Sequence, residues 1–96
     1  MALSAIVQIY GEEPGAMCLK RSDDGTPIKV TGEIYSLAKN LEGTEAGLTA
    51  ETLINALLTD WVKMANPPKD LTLACDYLFE VRVQNNRFSL REKRQD

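Results

Sequence analysis

The longest alternating stretch of the chain lies near its C-terminus, between residues 71 and 83. Every odd position in it is apolar, and these positions are Leu71, Leu73, Cys75, Tyr77, Phe79, Val81 and Val83. Most of the even positions are polar, and a period of two places the two sets on opposite faces of a β-strand. One face of this strand is therefore predicted to be covered by the rest of the protein.

The strand is predicted to continue into a hairpin whose register follows from the same pattern. Asn85-Asn86 forms the two-residue turn, because asparagine tolerates the positive φ angles that such a turn needs. The opposed residues are then Gln84 with Arg87, Val83 with Phe88, Val81 with Leu90, and Glu80 with Arg91. A shift of one residue would turn the apolar side chains toward water. The last residues, 91–96, contain no apolar side chain and are predicted to fray.

Three further strands are predicted in the N-terminal part of the chain. They cover residues 3–10, 16–20 and 26–30. Ile6 and Tyr10 make the second face of the first strand less polar than usual, so this strand is predicted to be partly covered on both sides. The pair Asp24-Gly25 favours a hairpin turn before the third strand. Because Pro27 lacks an amide donor, that strand is expected at an edge or at a strand start.

The middle of the chain has the periodicity of two helices. The first is predicted from Gly32 to Glu42, with Thr31 as its N-cap and Gly43 as the residue that closes it. The second is predicted to begin at Thr49 and to be ended by Pro67-Pro68. Its apolar stripe consists of Leu53, Ile54, Leu57, Leu58, Trp61, Val62, Met64 and Ala65. Three of these, Leu57, Leu58 and Trp61, are expected at the heart of the core.

These elements predict an α+β domain spanning residues 1–96. Its antiparallel sheet of four to five strands, in the chain order β-β-β-α-α-β-β, carries an antiparallel helix pair on one face. No apolar run approaches the ~20 residues that cross a bilayer, and the N-terminus lacks the basic region of a secretory signal. A cytoplasmic protein without membrane association is therefore expected. Cys18 and Cys75 are expected to be small buried apolar residues, with a disulfide or a reactive thiol as the alternatives.

The charge is unevenly distributed along the chain, although the net charge is only −3. Residues 1–81 carry 6 Lys or Arg against 12 Asp or Glu, which gives −6. Residues 82–96 carry 5 against 2, which gives +3. An acidic body with a basic end favours a protein partner or self-association over general nucleic-acid binding.

The residues that usually perform catalysis are sparse in this sequence. There is no histidine, which removes imidazole bases, the usual imidazole metal ligands and His-activated nucleophiles. The carboxylate pairs Glu12-Glu13 and Asp23-Asp24 lie in predicted loops, where sequence neighbours converge poorly. Asp76 is expected on the polar face of its strand and would become a functional candidate only if that face were covered. No enzyme activity, cofactor or metal site is therefore predicted.

The candidate interaction residues are three arginines and two tyrosines. Arg82, Arg87 and Arg91 share the predicted outer face of the last hairpin, and Tyr10 and Tyr35 are amphipathic side chains of the kind found in binding interfaces. The arginines could also protect an edge against aggregation. Nucleic acid is disfavoured as a partner because no aromatic residue is interleaved with these arginines in the hairpin.

The function expected from the sequence is non-catalytic. The chain is predicted to be a small binding, adaptor or regulatory protein that contacts another protein or a second copy of itself. The alternatives are a sensor of a small anionic ligand, held near the Arg82–Arg91 face or the loops of residues 11–26, and an enzyme that uses carboxylates or cysteine.

Overall fold

Five strands and two helices make up the fold in the computed structural model, which describes residues 3–93. In chain order the elements are β1 (Ala5–Tyr10), β2 (Ala16–Arg21), α1 (Pro27–Glu42), α2 (Ala50–Leu57), β3 (Val62–Lys63), β4 (Tyr77–Gln84) and β5 (Arg87–Lys93). The predicted α+β class is confirmed. Neither helix within residues 3–93 combines the length and the apolar character needed to cross a membrane.

The sheet is mixed, so the prediction of a purely antiparallel sheet is wrong. Its strand order is β3-β2-β1-β4-β5, and β1 runs parallel to β4 while the other three neighbouring pairs are antiparallel. Two helices and β3 separate β2 from β4 in the chain. Arg21 at the end of β2 and Tyr77 at the start of β4 both pair with Ala5, so this connection begins and ends at the same end of the sheet. It carries the chain from one side of β1 to the other, and β4 then runs beside β1 in the same direction.

Both helices cover the same face of the sheet and form the main core with it. Its buried members are Ala5, Val7, Ile9, Leu19, Val30, Ile34, Ala38, Leu48, Leu53, Leu57, Trp61, Phe79, Val81 and Val83. A smaller cluster on the opposite face contains Ile6, Cys18, Leu71 and Leu78, with Met64, Ala74 and Cys75 packed against it. The prediction that the first strand is covered on both sides is therefore confirmed at Ile6.

The predicted third strand, residues 26–30, is instead the beginning of α1. Thr26 is the extended residue before the helix, and Pro27 occupies its first turn. The missing N–H of proline costs nothing there, because the first amides of a helix have no partner within it. Thr31, predicted as the N-cap, therefore lies inside the helix, where its hydroxyl donates to the Pro27 carbonyl at 2.6 Å.

The second helix begins as predicted, with Thr49 as N-cap, but it ends at Leu57 rather than at the prolines. The chain then turns, and the two residues of β3 pair with Leu19 and Lys20 of β2. Leu57 and Trp61 are buried as expected, whereas Leu58 is wrongly predicted in the core because it is 41% exposed. Trp61 lies beyond the end of the helix, where its indole N–H donates to Glu33 of α1 at 3.1 Å.

The long alternation is a strand only in its second half. Residues Leu71–Leu73 form a 3₁₀ turn that Asp70 caps, and β4 starts at Tyr77. The register of the hairpin is confirmed at all four predicted pairs. Strand β5 continues to Lys93, so the first three residues of the predicted frayed tail belong to the sheet, and residues 94–96 lie outside the described residues.

Candidate functional site

The three candidate arginines lie on the outer face of the sheet, the one that the helices do not cover. Arg82 projects from β4, while Arg87 and Arg91 project from β5, where they oppose Gln84 and Glu80 respectively. The side chains of Arg82 and Arg91 are 58% and 69% exposed, and Arg87 is also exposed. The shared face predicted from the hairpin register is therefore present, and its cations are accessible to a partner.

A buried carboxylate organises this basic surface. Only 7% of the Glu80 side chain is exposed, and its Oε2 lies 3.2 Å from Arg82 Nε and 3.0 Å from Arg91 Nε. The Nζ of Lys93 lies 3.3 Å from the other oxygen of Glu80 and donates to Gln8 Oε1 at 2.8 Å. Three cations around one carboxylate give the cluster a net positive charge while fixing the directions of its side chains.

The cations also keep Glu80 ionised. Burial alone would raise its pKa, because it disfavours the charged form. Hydrogen bonds from Arg82 and Lys93, together with the charges of Arg82 and Arg91, outweigh that effect and hold the pKa of Glu80 below its ordinary value. The carboxylate is thus an acceptor for its neighbours rather than a proton donor.

Tyr10 joins the same surface from the neighbouring strand. The parallel pairing of β1 with β4 places it beside Arg82, whose guanidinium carbon lies 4.3 Å from the centre of the tyrosine ring. This is a cation–π contact. An aromatic side chain therefore lies beside the arginines, contrary to the expectation from the hairpin sequence. The hairpin alone could not show this, because Tyr10 belongs to β1.

Tyr35 lies on the opposite side of the sheet and belongs to a different surface. Its ring meets Phe88 edge to face, with ring centres 5.5 Å apart, and Lys39 Nζ lies 5.7 Å from its centre. These side chains line an open groove between α1 and β5, with a volume of about 720 Å³. The groove is further lined by Thr31, Glu42, Arg87, Leu90, Arg91 and Glu92. Strand β5 therefore borders both surfaces.

The other sequence candidates have structural partners. Asp76 is exposed, and its Oδ2 accepts from the backbone N–H of Ser4 at 2.7 Å, which ties the start of β1 to the start of β4. Burial raises the pKa of both thiols, Cys18 and Cys75, so neither is activated as a thiolate. Among residues 3–93, no group of three or more His, Cys, Asp or Glu side chains is placed to hold a metal ion.

Some contacts of three residues in these surfaces were not predicted from the sequence. Glu80 was expected to oppose Arg91, but Gln8, Arg82 and Lys93 also lie around it. Lys93 fell in the predicted tail. Phe88 was expected to point inward, which it does, but its contact with Tyr35 depends on where α1 packs. The period of two was the available signal for Lys93, since it places Lys93 on the same face as Arg91.

No protein-family model matches the sequence, and no solved structure matches the fold. The chemistry of the two surfaces beside β5 is therefore the basis on which a function can be argued.

Proposed function

We propose that this chain is a non-catalytic cytoplasmic binding protein that binds an acidic segment of another protein through the arginines on the outer face of β4 and β5. The observation that carries the proposal is the grouping of Arg82, Arg87 and Arg91 on one accessible face. The rest of the chain is acidic, with a net charge of −6 over residues 1–81. A basic patch on an acidic body attracts a partner of opposite charge and sets its orientation.

The surface is preorganised for such a partner. Arg91 contacts Glu80 through Nε, and no residue in the described part of the chain bonds its two terminal nitrogens, which leaves them for a carboxylate. The ring of Tyr10 packs against the guanidinium of Arg82 and helps to hold that side chain in place. Side chains that are already fixed lose less conformational entropy on binding, so more of the interaction energy contributes to affinity.

The proposal is tested by selecting ligands from a random library of displayed twelve-residue peptides on the immobilised protein. We expect the enriched peptides to be rich in Asp and Glu, and their binding to weaken as salt concentration rises. Arg87→Glu is the test variant, because Arg87 is exposed and makes no side-chain ion pair with the residues that the structure describes. The selection should fail on this variant.

Lys63→Glu is the matched control. Lys63 is also an exposed strand cation, but it lies in β3 at the other edge of the sheet. The control should enrich the same acidic peptides as the original protein. Enriched peptides without net negative charge, or equal enrichment on the Arg87→Glu variant, would refute the proposed function.

A sensor of a small anion is the second candidate, and one hollow on the outer face favours it. The hollow has a volume of about 250 Å³ and is lined by two cations, Lys69 and Lys93, beside Gln8 and Asp70. A thermal-shift screen with inorganic phosphate, small carboxylates and nucleotides tests this candidate. A saturable rise in melting temperature that Lys69→Gln abolishes would favour the sensor over the protein-binding function.

A further inference from the structure

Strand β5 forms one edge of the sheet. On the side away from β4 it has no strand neighbour in the part of the chain that the structure describes. Asn85 and Asn86 both have positive φ angles, 54° and 60°, as a type I′ turn requires. Such a turn joins the backbone groups of Gln84 and Arg87. Because antiparallel pairs alternate, the N–H and C=O groups of Phe88, Leu90 and Glu92 then point away from β4 toward the open edge.

The side chains of β5 divide into two chemically different rows. Phe88 and Leu90 pack against the main core and line the groove beside Tyr35. Glu92 follows in the same row. Arg87, Arg91 and Lys93 project toward the outer face, and Arg87 and Arg91 also line the groove. An extended peptide laid along the open edge would alternate its own side chains in the same way, one set toward the groove and the other toward the cations.

We propose that the partner binds by adding a strand to β5, through an extended segment in which acidic and apolar residues alternate. The apolar side chains enter the groove beside Tyr35 and Phe88, and the acidic side chains meet Arg87 and Arg91. Backbone hydrogen bonds to the open edge supply affinity, while the two rows of side chains select the sequence. This mode rests on the proposed function and states how its acidic partner is recognised.

A second copy of β5 fits the same edge poorly. In an antiparallel pairing centred on Ser89, Arg87 of one copy opposes Arg91 of the other. In a pairing centred on Leu90, Arg87 opposes Lys93 and Phe88 opposes Glu92. Like charges directly opposite one another destabilise a strand pair. The row of cations therefore discourages self-pairing at this edge and favours an acidic strand.

The test uses a fluorescently labelled peptide of seven residues, Glu-Val-Glu-Val-Glu-Val-Glu, acetylated and amidated at its ends. Two derivatives carry N-methyl groups, one on all valine amides and the other on all glutamate amides. In a bound strand only one of these two sets faces β5, so one derivative should lose binding and the other should retain it. Loss on valine methylation indicates antiparallel addition, and loss on glutamate methylation indicates parallel addition.

Further controls separate this mode from simple charge attraction. A peptide with the same composition in two blocks, Glu-Glu-Glu-Glu-Val-Val-Val, should bind about tenfold more weakly, because its valines cannot all reach the groove. Tyr35→Ala should weaken the alternating peptide several-fold. Leu58→Ala, at another exposed apolar residue on the helical side, should not.

The outcomes distinguish the mode of binding from the function. Equal effects of the two methylations, whether both derivatives bind or neither does, would overturn strand addition, as would equal binding of the alternating and block peptides. If acidic peptides were still selected in a manner that needs Arg87, the proposed function would stand. Light scattering that shows a stable dimer, disrupted by Leu90→Asp while circular dichroism shows that the variant stays folded, would instead identify a second copy as the occupant and overturn the proposal.

Discussion

The indole N–H of Trp61 donates a hydrogen bond to Glu33 Oε1 at 3.1 Å, and so joins the segment after α2 to α1. The other oxygen of Glu33 pairs with Arg21 at the end of β2, and the guanidinium of Arg21 lies 5.8 Å from the centre of the indole ring. Trp61 is only 2% exposed. One half-buried carboxylate therefore satisfies the polar atom of the largest core side chain and connects three parts of the fold.

We expect Glu33→Ala to lower the free energy of unfolding by about 2 kcal/mol, because it leaves a buried indole N–H without an acceptor. Urea denaturation followed by the fluorescence of Trp61, the only tryptophan in the chain, measures the change. Glu33→Gln keeps an acceptor and should cost less. Glu45→Ala, at an exposed loop position, is the control, and an equal effect of Glu33→Ala and Glu45→Ala would contradict the prediction.

Two adjacent leucines at the end of α2 should differ sharply in their contribution to stability. Leu57 is 1% exposed, whereas Leu58 is 41% exposed. Leu57→Ala should lower the free energy of unfolding by about 2–5 kcal/mol through lost burial and the cavity left behind. Leu58→Ala should cost less than about 1 kcal/mol. Chemical denaturation of both variants measures the contrast, and similar losses would show that α2 is rotated from its described orientation.

The contrast between Leu57 and Leu58 shows that only some features of this fold could be predicted from the sequence pattern. Periodicity and a capping residue located the start of α2, and alternation located β1 and the register of the hairpin. These features depend on residues close together in the chain. The burial of Trp61 beyond the end of α2 involves a hydrogen bond to Glu33, which is distant in sequence, and a two-residue strand such as β3 has no periodicity of its own.

The features that define the candidate surfaces were harder to predict, because they arise between distant segments. The pairing of Tyr10 with Arg82 needs the parallel register of β1 and β4, which the sequence does not encode locally. The burial of Glu80 needs cations from two strands and Gln8 from a third. Pro27 fits the start of a strand and the start of a helix equally well, and only tertiary packing decided between them.

The hairpin turn should respond to substitution in an unusual way. Glycine is ordinarily the best residue for a turn with positive φ angles. The side chain of Asn86, however, accepts from the backbone N–H of Leu48 at 2.6 Å and donates to the Glu42 carbonyl at 3.3 Å. It therefore connects the β4–β5 turn to the loop between the helices.

We expect Asn86→Gly to lower the free energy of unfolding by about 1–2 kcal/mol, because the Leu48 amide loses its acceptor. Asn85→Gly is the matched control, since it makes the same change at the neighbouring residue with positive φ and should alter stability by less than about 0.5 kcal/mol. Thermal and urea denaturation measure both variants. A stabilised Asn86→Gly variant would show that turn geometry outweighs the contact with the helical layer.

Glu80 should make the stability of the protein depend on pH. Its pKa in the folded state is lowered by Arg82, Lys93 and Arg91, despite the opposing effect of burial. A group whose pKa is lower in the folded state stabilises the fold above its unfolded pKa. That contribution is lost as the pH falls through the folded-state pKa. The loss should therefore occur in the acid range, below the ordinary pKa of glutamate.

The variant Glu80→Gln tests this dependence because it keeps the shape of the side chain and removes its charge. At neutral pH we expect its free energy of unfolding to be lower by about 1–2 kcal/mol, since three charge-assisted contacts are weakened. The difference should shrink as the pH falls below the ordinary pKa of glutamate, and it should vanish once the pH has passed the lowered pKa of Glu80 and this residue is neutral in the original protein too. Urea denaturation at a series of pH values measures it, with Glu92→Gln on the adjacent strand as the exposed control. A difference that stayed constant down to full protonation of the carboxylates would mean that the cations contribute through packing rather than through the charge of Glu80.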